Sequence, residues 1–269
     1  MSVKKDASGR RSVQVEVEVP GTPEEVWQAI ATGEGVTAWF APTEMIQGKD
    51  GEPDKVVCHM GPGMDSTATV TAWDPPRRFA AESGDLGPNA PVFATEWIVE
   101  ARSGGTCVVR VVHSLFASTD DWDNQLESTE FGWPGFFRVL RMYLTYFRSE
   151  RSAMARVMGL HVGTQDEAWE KLMGMLGLSG AQAGERRRTG DGGPAMAGVV
   201  EHAEMGKLYL RLDEPGPGIA AIGAMDMCGR VFLMASLYCY GERAAETAAA
   251  AEQQWQCWMQ ERFPMRPKE

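Results

Sequence analysis

Residues 13 to 19 read Val-Gln-Val-Glu-Val-Glu-Val. Such strict alternation places Val13, Val15, Val17 and Val19 on one face of a strand and Gln14, Glu16 and Glu18 on the other. Thr22-Pro23-Glu24-Glu25 follows, with an N-cap, a proline at the first helical position and a glutamate three residues after the cap. With Val26, Trp27 and Ile30 at helical spacing, this predicts a short helix. Gly33 and Gly35 end it, and residues 36 to 40 read as a further turn or two presenting Trp39 and Phe40. Strand-like runs then cover 42–46, 55–60, 66–73, 78–83, 92–101 and 106–116, separated by Gly, Pro and polar clusters. Short links between successive strands imply an antiparallel meander. Parity puts Phe93, Thr95, Trp97 and Val99 inward when Glu96 and Glu100 face out, and Val109, Val111, His113 and Leu115 inward when Arg110 faces out. An acidic segment, Asp120 to Glu130, is expected to be mobile. Trp133 to Met158 then reads as one long amphipathic helix, with Trp133, Phe136, Phe137, Leu140, Leu144 and Phe147 on its apolar stripe.

The second half opens on Gly163-Thr164-Gln165-Asp166-Glu167-Ala168-Trp169, which repeats the cap-x-x-Glu-x-Trp pattern of Thr22 to Trp27. After a Gly- and Arg-rich loop at about 177–198 come strand-like runs at 199–204, 207–213, 218–227 and 230–240, then a helix from about Arg243 to Phe263. This order fits a degenerate copy of the first half, and equally a shorter α+β appendage. The expected fold class is therefore α+β: a curved antiparallel sheet around a long helix, followed by a smaller α+β domain. The expected divisions are a flexible N-terminus (1–12), a first domain (13–158) and a second (159–269).

Composition narrows the function. A net charge of −11 repels phosphate backbones, which argues against nucleic acid, and Arg186-Arg187-Arg188 reads as a solvated loop. Nothing resembles a secretory leader or a membrane span, so a cytoplasmic protein is expected. The five cysteines (Cys58, Cys107, Cys228, Cys239, Cys257) are scattered without a C-x-x-C pair and read as reduced packing residues. The four histidines are far apart, and neither a metal nor a cofactor is expected. Gly61-Pro62-Gly63 and Gly216-Pro217-Gly218 join strands to strands, so they read as turns rather than phosphate cradles.

Six motifs occur in order: Thr22 to Trp27; Trp39-Phe40; Val70 to Phe79; Thr95-Glu96-Trp97; Gly104-Gly105-Thr106 running into Val111-Val112-His113-Ser114; and Gly132-Trp133. Over residues 13 to about 155 this series resembles the SRPBCC (START-like, Bet v 1-like) superfamily, most closely the bacterial homologues of the activator of heat shock protein 90 ATPase. The resemblance implies a helix-grip fold and a scaffold used by lipid carriers, hormone sensors, cyclases and chaperone cofactors. Twelve residues precede the first strand, so a counterpart of the separate N-terminal chaperone-binding domain of the eukaryotic activator, and with it direct stimulation of a chaperone ATPase, is not expected.

His113 is the inward-facing titratable group that parity delivers, either a general base or a satisfied structural histidine, and Cys58 reads as a small hydrophobe. A cavity is expected beside His113, walled by Trp39, Phe40, Trp73, Phe79 and Phe93 from the first part of the sheet. Trp97, Val111, Trp133 and Phe137 complete its lining. The favoured function is a non-catalytic module holding a small hydrophobic molecule, with segment 117–131 gating the mouth. Two alternatives are a regulator of a chaperone or another ATPase, and a cyclase, aromatase or hydrolase using His113. The run from Phe232 to Tyr240 could serve a homodimer or the interior of its own half.

Overall fold

The computed structural model describes residues 3–61, 65–84, 90–117, 119–227 and 230–265. The chain divides into two compact units, Met1–Arg148 and Ser149–Glu269. Pro62, Gly63 and Cys228 lie outside the described residues.

In the first unit, strands β1 (Lys4–Lys5) and β2 (Arg10–Pro20) precede helices α1 (Pro23–Ala31) and α2 (Gly33–Thr37). Six strands follow: β3 (Thr43–Gln47), β4 (Pro53–His59), β5 (Asp65–Asp74), β6 (Arg78–Ser83), β7 (Phe93–Arg102) and β8 (Thr106–Phe116). Helix α3 (Asp123–Tyr146) closes the unit. The sheet runs β1-β2-β8-β7-β6-β5-β4-β3, antiparallel throughout, so the meander returns its last long strand to the first. β2 and β8 pair along their whole length, from Arg10 opposite Phe116 to Pro20 opposite Thr106. The alternating valines make this possible. Val13 and Val19 are buried with Val109, Val111 and Leu115 on the face that receives α3. The opposite face is laced by Arg110 to Glu16 (3.2 Å) and Glu100 (3.0 Å), and by Arg78 to Glu96. Such exposed pairs mark a wet surface and contribute little stability each. This is a helix-grip arrangement.

The capping box at α1 forms as its spacing predicts: Glu25 N donates to Thr22 Oγ1 (3.3 Å) and Thr22 N to Glu25 Oε2 (2.8 Å). Glu25 also takes Arg148 at 2.6 Å, and these contacts hold its carboxyl below the usual carboxylate range, the Thr22 N–H most of all.

Three expectations are corrected. The N-terminus through residue 12 is not simply flexible: Lys4 and Lys5 pair with Ser12 and Arg11 across a turn in which Asp6 Oδ1 accepts from Ser8 N (2.8 Å) and Arg10 N (3.1 Å). The long helix covers 123–146 rather than 133–158, and the units divide at Arg148 rather than at 158. Residues rich in helix-forming Ala, Met and Arg instead build β9 (Ser152–Val162), because pairing with a neighbouring strand along eleven positions outweighs local propensity. Finally, Arg186–Arg188 is not a free loop. It forms an edge strand, β10, opposite Ala197–Val199, with Arg186 paired to Asp213, Arg187 to Glu185 and Arg188 to Glu214.

The second unit continues through α4 (Gln165–Leu176), β11 (Ala197–Glu204), β12 (Lys207–Glu214), β13 (Gly218–Met227), β14 (Arg230–Tyr240) and α5 (Ala244–Arg262). Its six-stranded sheet runs β10-β11-β12-β13-β14-β9, again joining the last meander strand to the first strand. The entry to α4 repeats that to α1 in detail. Gly21 (φ 129°) and Gly163 (φ 141°) both adopt backbone that a side chain would strain. Thr164 and Glu167 form the second capping box, and Trp169, like Trp27, is buried. Leu172, Leu176, Trp255, Met259 and Phe263 then fill the space over Leu208, Leu210, Leu233 and Leu237. The second unit is a shorter version of the first, with one short helix where the first has two.

Candidate functional site: an aromatic interior closed on His113

Strand pairing sets the central contact. The Gly104-Gly105 turn pairs Arg102 with Thr106, and counting outward along the hairpin brings Thr95 opposite His113. Thr95 Oγ1 lies 3.0 Å from His113 Nδ1. From α3, Trp133 Nε1 donates to His113 Nε2 at 2.6 Å. An indole nitrogen can only donate, so Nε2 is the acceptor and the imidazole proton sits on Nδ1, donating to the Thr95 hydroxyl. Phe93 covers the imidazole at 5.1 Å between ring centroids. Burial pushes the His113 pKa from 6.5 down to about 3, so the ring is neutral.

From His113 the rings continue without a break. Trp133 meets Trp97 edge-on at 5.1 Å, lies 5.3 Å from Phe137 and is nearly parallel to Phe40 at 5.6 Å. Trp97 reaches Trp39 at 6.1 Å and Phe79 at 6.2 Å, and Phe79 reaches Trp73 at 5.7 Å. Trp39 is fully buried, its indole N–H donating to the Ala29 carbonyl at 2.9 Å. Edge-on and offset pairs of this kind each add roughly 0.5–1.5 kcal/mol beyond area burial. Val111 is fully buried in the same sheet face. The structure thus gathers nine of the expected residues, Trp39, Phe40, Trp73, Phe79, Phe93, Trp97, His113, Trp133 and Phe137, into one network of ring contacts. Two members escaped the sequence reading as site residues. Trp27 joins Trp73 (5.0 Å) and Phe79, and Phe136 joins Phe40 at 4.7 Å. Both lie on the apolar faces of expected helices, which is the signal the sequence offers for them.

At the other end of the network a cleft of about 590 Å³ opens between the α1–α2 junction and the inner face of β3–β5. Trp73 borders it with Ala31, Thr43, Met45, Gln47 and Pro53. Of the ten residues expected around a cavity, Trp73 alone borders this cleft; Met45, Thr43 and Pro53 lie on a sheet edge whose parity is weakly marked. Gly33 has its backbone hard against β3, where an added Cβ would stand 2.7 Å from the Thr43 carbonyl. That close approach seats the helical junction on the sheet edge.

The chemistry is sparse. His113 has both nitrogens engaged, and among the described residues no carboxylate contacts it. Cys58 is no activated thiol, since burial raises its pKa, and Thr43 Oγ1 contacts its sulfur at 3.4 Å. His59 lies on the outer side between Asp65 (3.2 Å) and Glu44 (3.5 Å), and Asp65 foremost raises its pKa. Among the described residues no group of three or more His, Cys, Asp or Glu is placed to hold a metal, and no helix is long and apolar enough to cross a membrane.

The first unit, a curved antiparallel sheet closed on a long helix, is a helix-grip scaffold. Residues 10–140 match the family model described as polyketide cyclase/dehydrase and lipid transport. Similar solved structures include CalU16 from Micromonospora echinospora, at 16% identity over 53% of this chain and 80% of that one, with a TM-score of 0.41. The di-domain ARO/CYC BexL from the BE-7585A biosynthetic pathway aligns over 96% of this chain and 100% of its own, at 10% identity and a TM-score of 0.46. The Aha1 dimer from Colwellia psychrerythraea aligns over 50% of this chain and 96% of its own, at 18% identity and a TM-score of 0.39. No curated protein sequence matches the chain significantly.

Proposed function

We propose that the first unit is a non-catalytic binding module for a small, mainly apolar molecule held between the concave sheet and its helices. The observation that carries this reading is the 590 Å³ cleft ending on Trp73, whose ring is the outermost member of the aromatic wall. A volume of several hundred Å³ suits a small molecule, with Trp73, Ala31, Met45 and Pro53 offering it an apolar side and Thr32, Glu34, Thr43, Glu44 and Gln47 a polar one. The matched family includes lipid transport proteins in its description, which fits a carrier or sensor. The engaged, neutral His113 favours binding over catalysis. A general base needs a free lone pair and an orienting partner suited to the imidazolium, whereas Nε2 here accepts from Trp133 and Nδ1 faces a hydroxyl.

Native mass spectrometry of the protein purified from its source, against the Gln47→Trp variant, tests the proposal. Gln47 is exposed on the cleft wall, so an indole there fills the space without disturbing the core. The expected result is a small noncovalent mass that the variant does not retain. A ligand retained equally by both proteins would move the site away from the cleft. Turnover of a cyclase-type substrate lost in His113→Ala would replace binding by catalysis.

A further inference from the structure

Helix α3 is built as two unequal halves. Between Trp133 and Phe147 it buries Trp133, Phe137, Val139, Leu140, Met142, Tyr143, Leu144 and Phe147 against the unit, whereas from Asp123 to Gly132 it buries Leu126 alone. The join is Gly132-Trp133-Pro134-Gly135. Pro134 has no N–H to bond the carbonyl four residues back, and glycines flank the pair, one of them, Gly132, in open surroundings. The first half also starts without a side-chain cap, on Trp122. Within it, Ser128 and Thr129 turn their hydroxyls back onto the carbonyls of Asn124 and Gln125, at 2.7 and 2.8 Å, a habit that loosens and bends helices.

Two attachments near its start hold this half to the sheet. Leu126 packs with Val13 and Leu115, and Arg11, buried on β2, makes a two-pronged ion pair with Asp123 in the first turn. Directly beneath lies the His113 corner: Val13 is its strand neighbour on β2, and Leu115 is two residues along β8. Trp133, at the hinge, fills that corner with a flat ring and uses its N–H to satisfy His113 Nε2.

We infer that residues 123–132 form a hinged lid, latched by Arg11–Asp123, whose opening draws Trp133 off His113 and exposes that corner to a ligand with a hydrogen-bond donor. In the closed lid Trp133 stands where such a ligand would sit. The use of the opened corner rests on the binding function proposed above, but the lid's motion is measurable without any ligand.

Hydrogen exchange of the full chain, read by mass spectrometry over residues 123–132 and 136–146, tests the motion. Segments with few buried contacts open at low free energy, so the first peptide is expected to exchange at least about a hundredfold faster than the second. Asp123→Asn should raise the first rate about tenfold further and leave the second unchanged, and Pro134→Ala should slow the first. Equal protection of the two segments, or a rise shared by both in Asp123→Asn, would overturn the lid and make α3 a single rod. Stopped-flow binding of anilinonaphthalene sulfonate supplies the second readout, with faster association expected in Asp123→Asn. An unchanged association rate in that variant would remove the lid as an entry route. Failure of the dye to bind either protein would instead count against the interior as a ligand site, leaving the lid to be decided by exchange.

Discussion

Acid should weaken this protein through His113 in a calculable way. In the native state burial holds the imidazole neutral down to about pH 3, whereas in the unfolded chain it protonates near pH 6.5. Between those values the unfolded state binds the extra proton, so stability rises with pH across the window and is lost as pH falls through it. The slope approaches about 1.4 kcal/mol per pH unit. From about pH 7 to about pH 4.5 the loss from this one ring is about 2–3 kcal/mol, a large part of an ordinary domain's roughly 5–15 kcal/mol. Asp123 and Glu25, whose ion-pair and hydrogen-bond partners depress their pKa values, also surrender stability on acidification. A matched variant removes them from the comparison. Urea unfolding of the wild type and of His113→Asn at both pH values gives two pH dependences, and their difference isolates His113. The wild type is expected to lose about 2–3 kcal/mol more than the variant. Identical pH dependence in the two proteins would refute a neutral, buried His113 and with it the hydrogen-bond assignment that fixes the tautomer.

Trp133 and Trp255 make an opposed pair. Trp133 donates its N–H to His113, while the N–H of fully buried Trp255 meets no acceptor among the described residues. Replacing each in turn by benzothienylalanine, which keeps the shape and deletes the N–H, should lower stability at 133 and raise it at 255 by about 1–3 kcal/mol, read by urea unfolding; a loss at 255 would reveal a hidden acceptor. Thr164→Ala removes a capping-box oxygen and should cost about 1 kcal/mol, with faster amide exchange at the start of α4; unchanged exchange there would show the cap to be idle. Gly35→Ala would place a Cβ 1.9 Å from the Gln28 carbonyl and 2.9 Å from the Ala29 Cα, so a loss of about 3 kcal/mol or more is expected in the same assay.

The readability of these features in sequence follows their range. Alternation and turn glycines locate β3 to β8 to within two residues and β2 to within three, because each strand's pattern is local and one face is wet. The Thr95–His113 pairing follows from the Gly104-Gly105 turn only once the strand register is known. Trp133 as the second partner was not legible, because a helix twenty residues away docks on that strand through packing alone. The stretch from Ser152 to Val162 was misread for a related reason. Its Ala, Met and Arg content favours helix, and only β14, nearly seventy residues later in sequence, recruits it as a strand. The acidic run after Asp120 lacks an apolar stripe and reads as loop, yet it is helical from Asp123, with Leu126 and the Arg11 pair anchoring it to the sheet. The ring network was visible residue by residue, but the cleft was not, since it arises from the spacing of α1–α2 and β3.

The join of first strand to last has a consequence for synthesis. β2 finds its full partner when the chain has grown to residue 116, and β9 waits until residue 240. The meanders between them zip from neighbouring hairpins, so nascent sheets should assemble early with one long edge vacant. Unpaired edges of that kind attract other strands, and here each unit's waiting strand meets a second vacant sheet on the same chain. Folding yield should therefore depend on translation speed between residues 116 and 240. A pause after the first closure would let one sheet seal before the next is made.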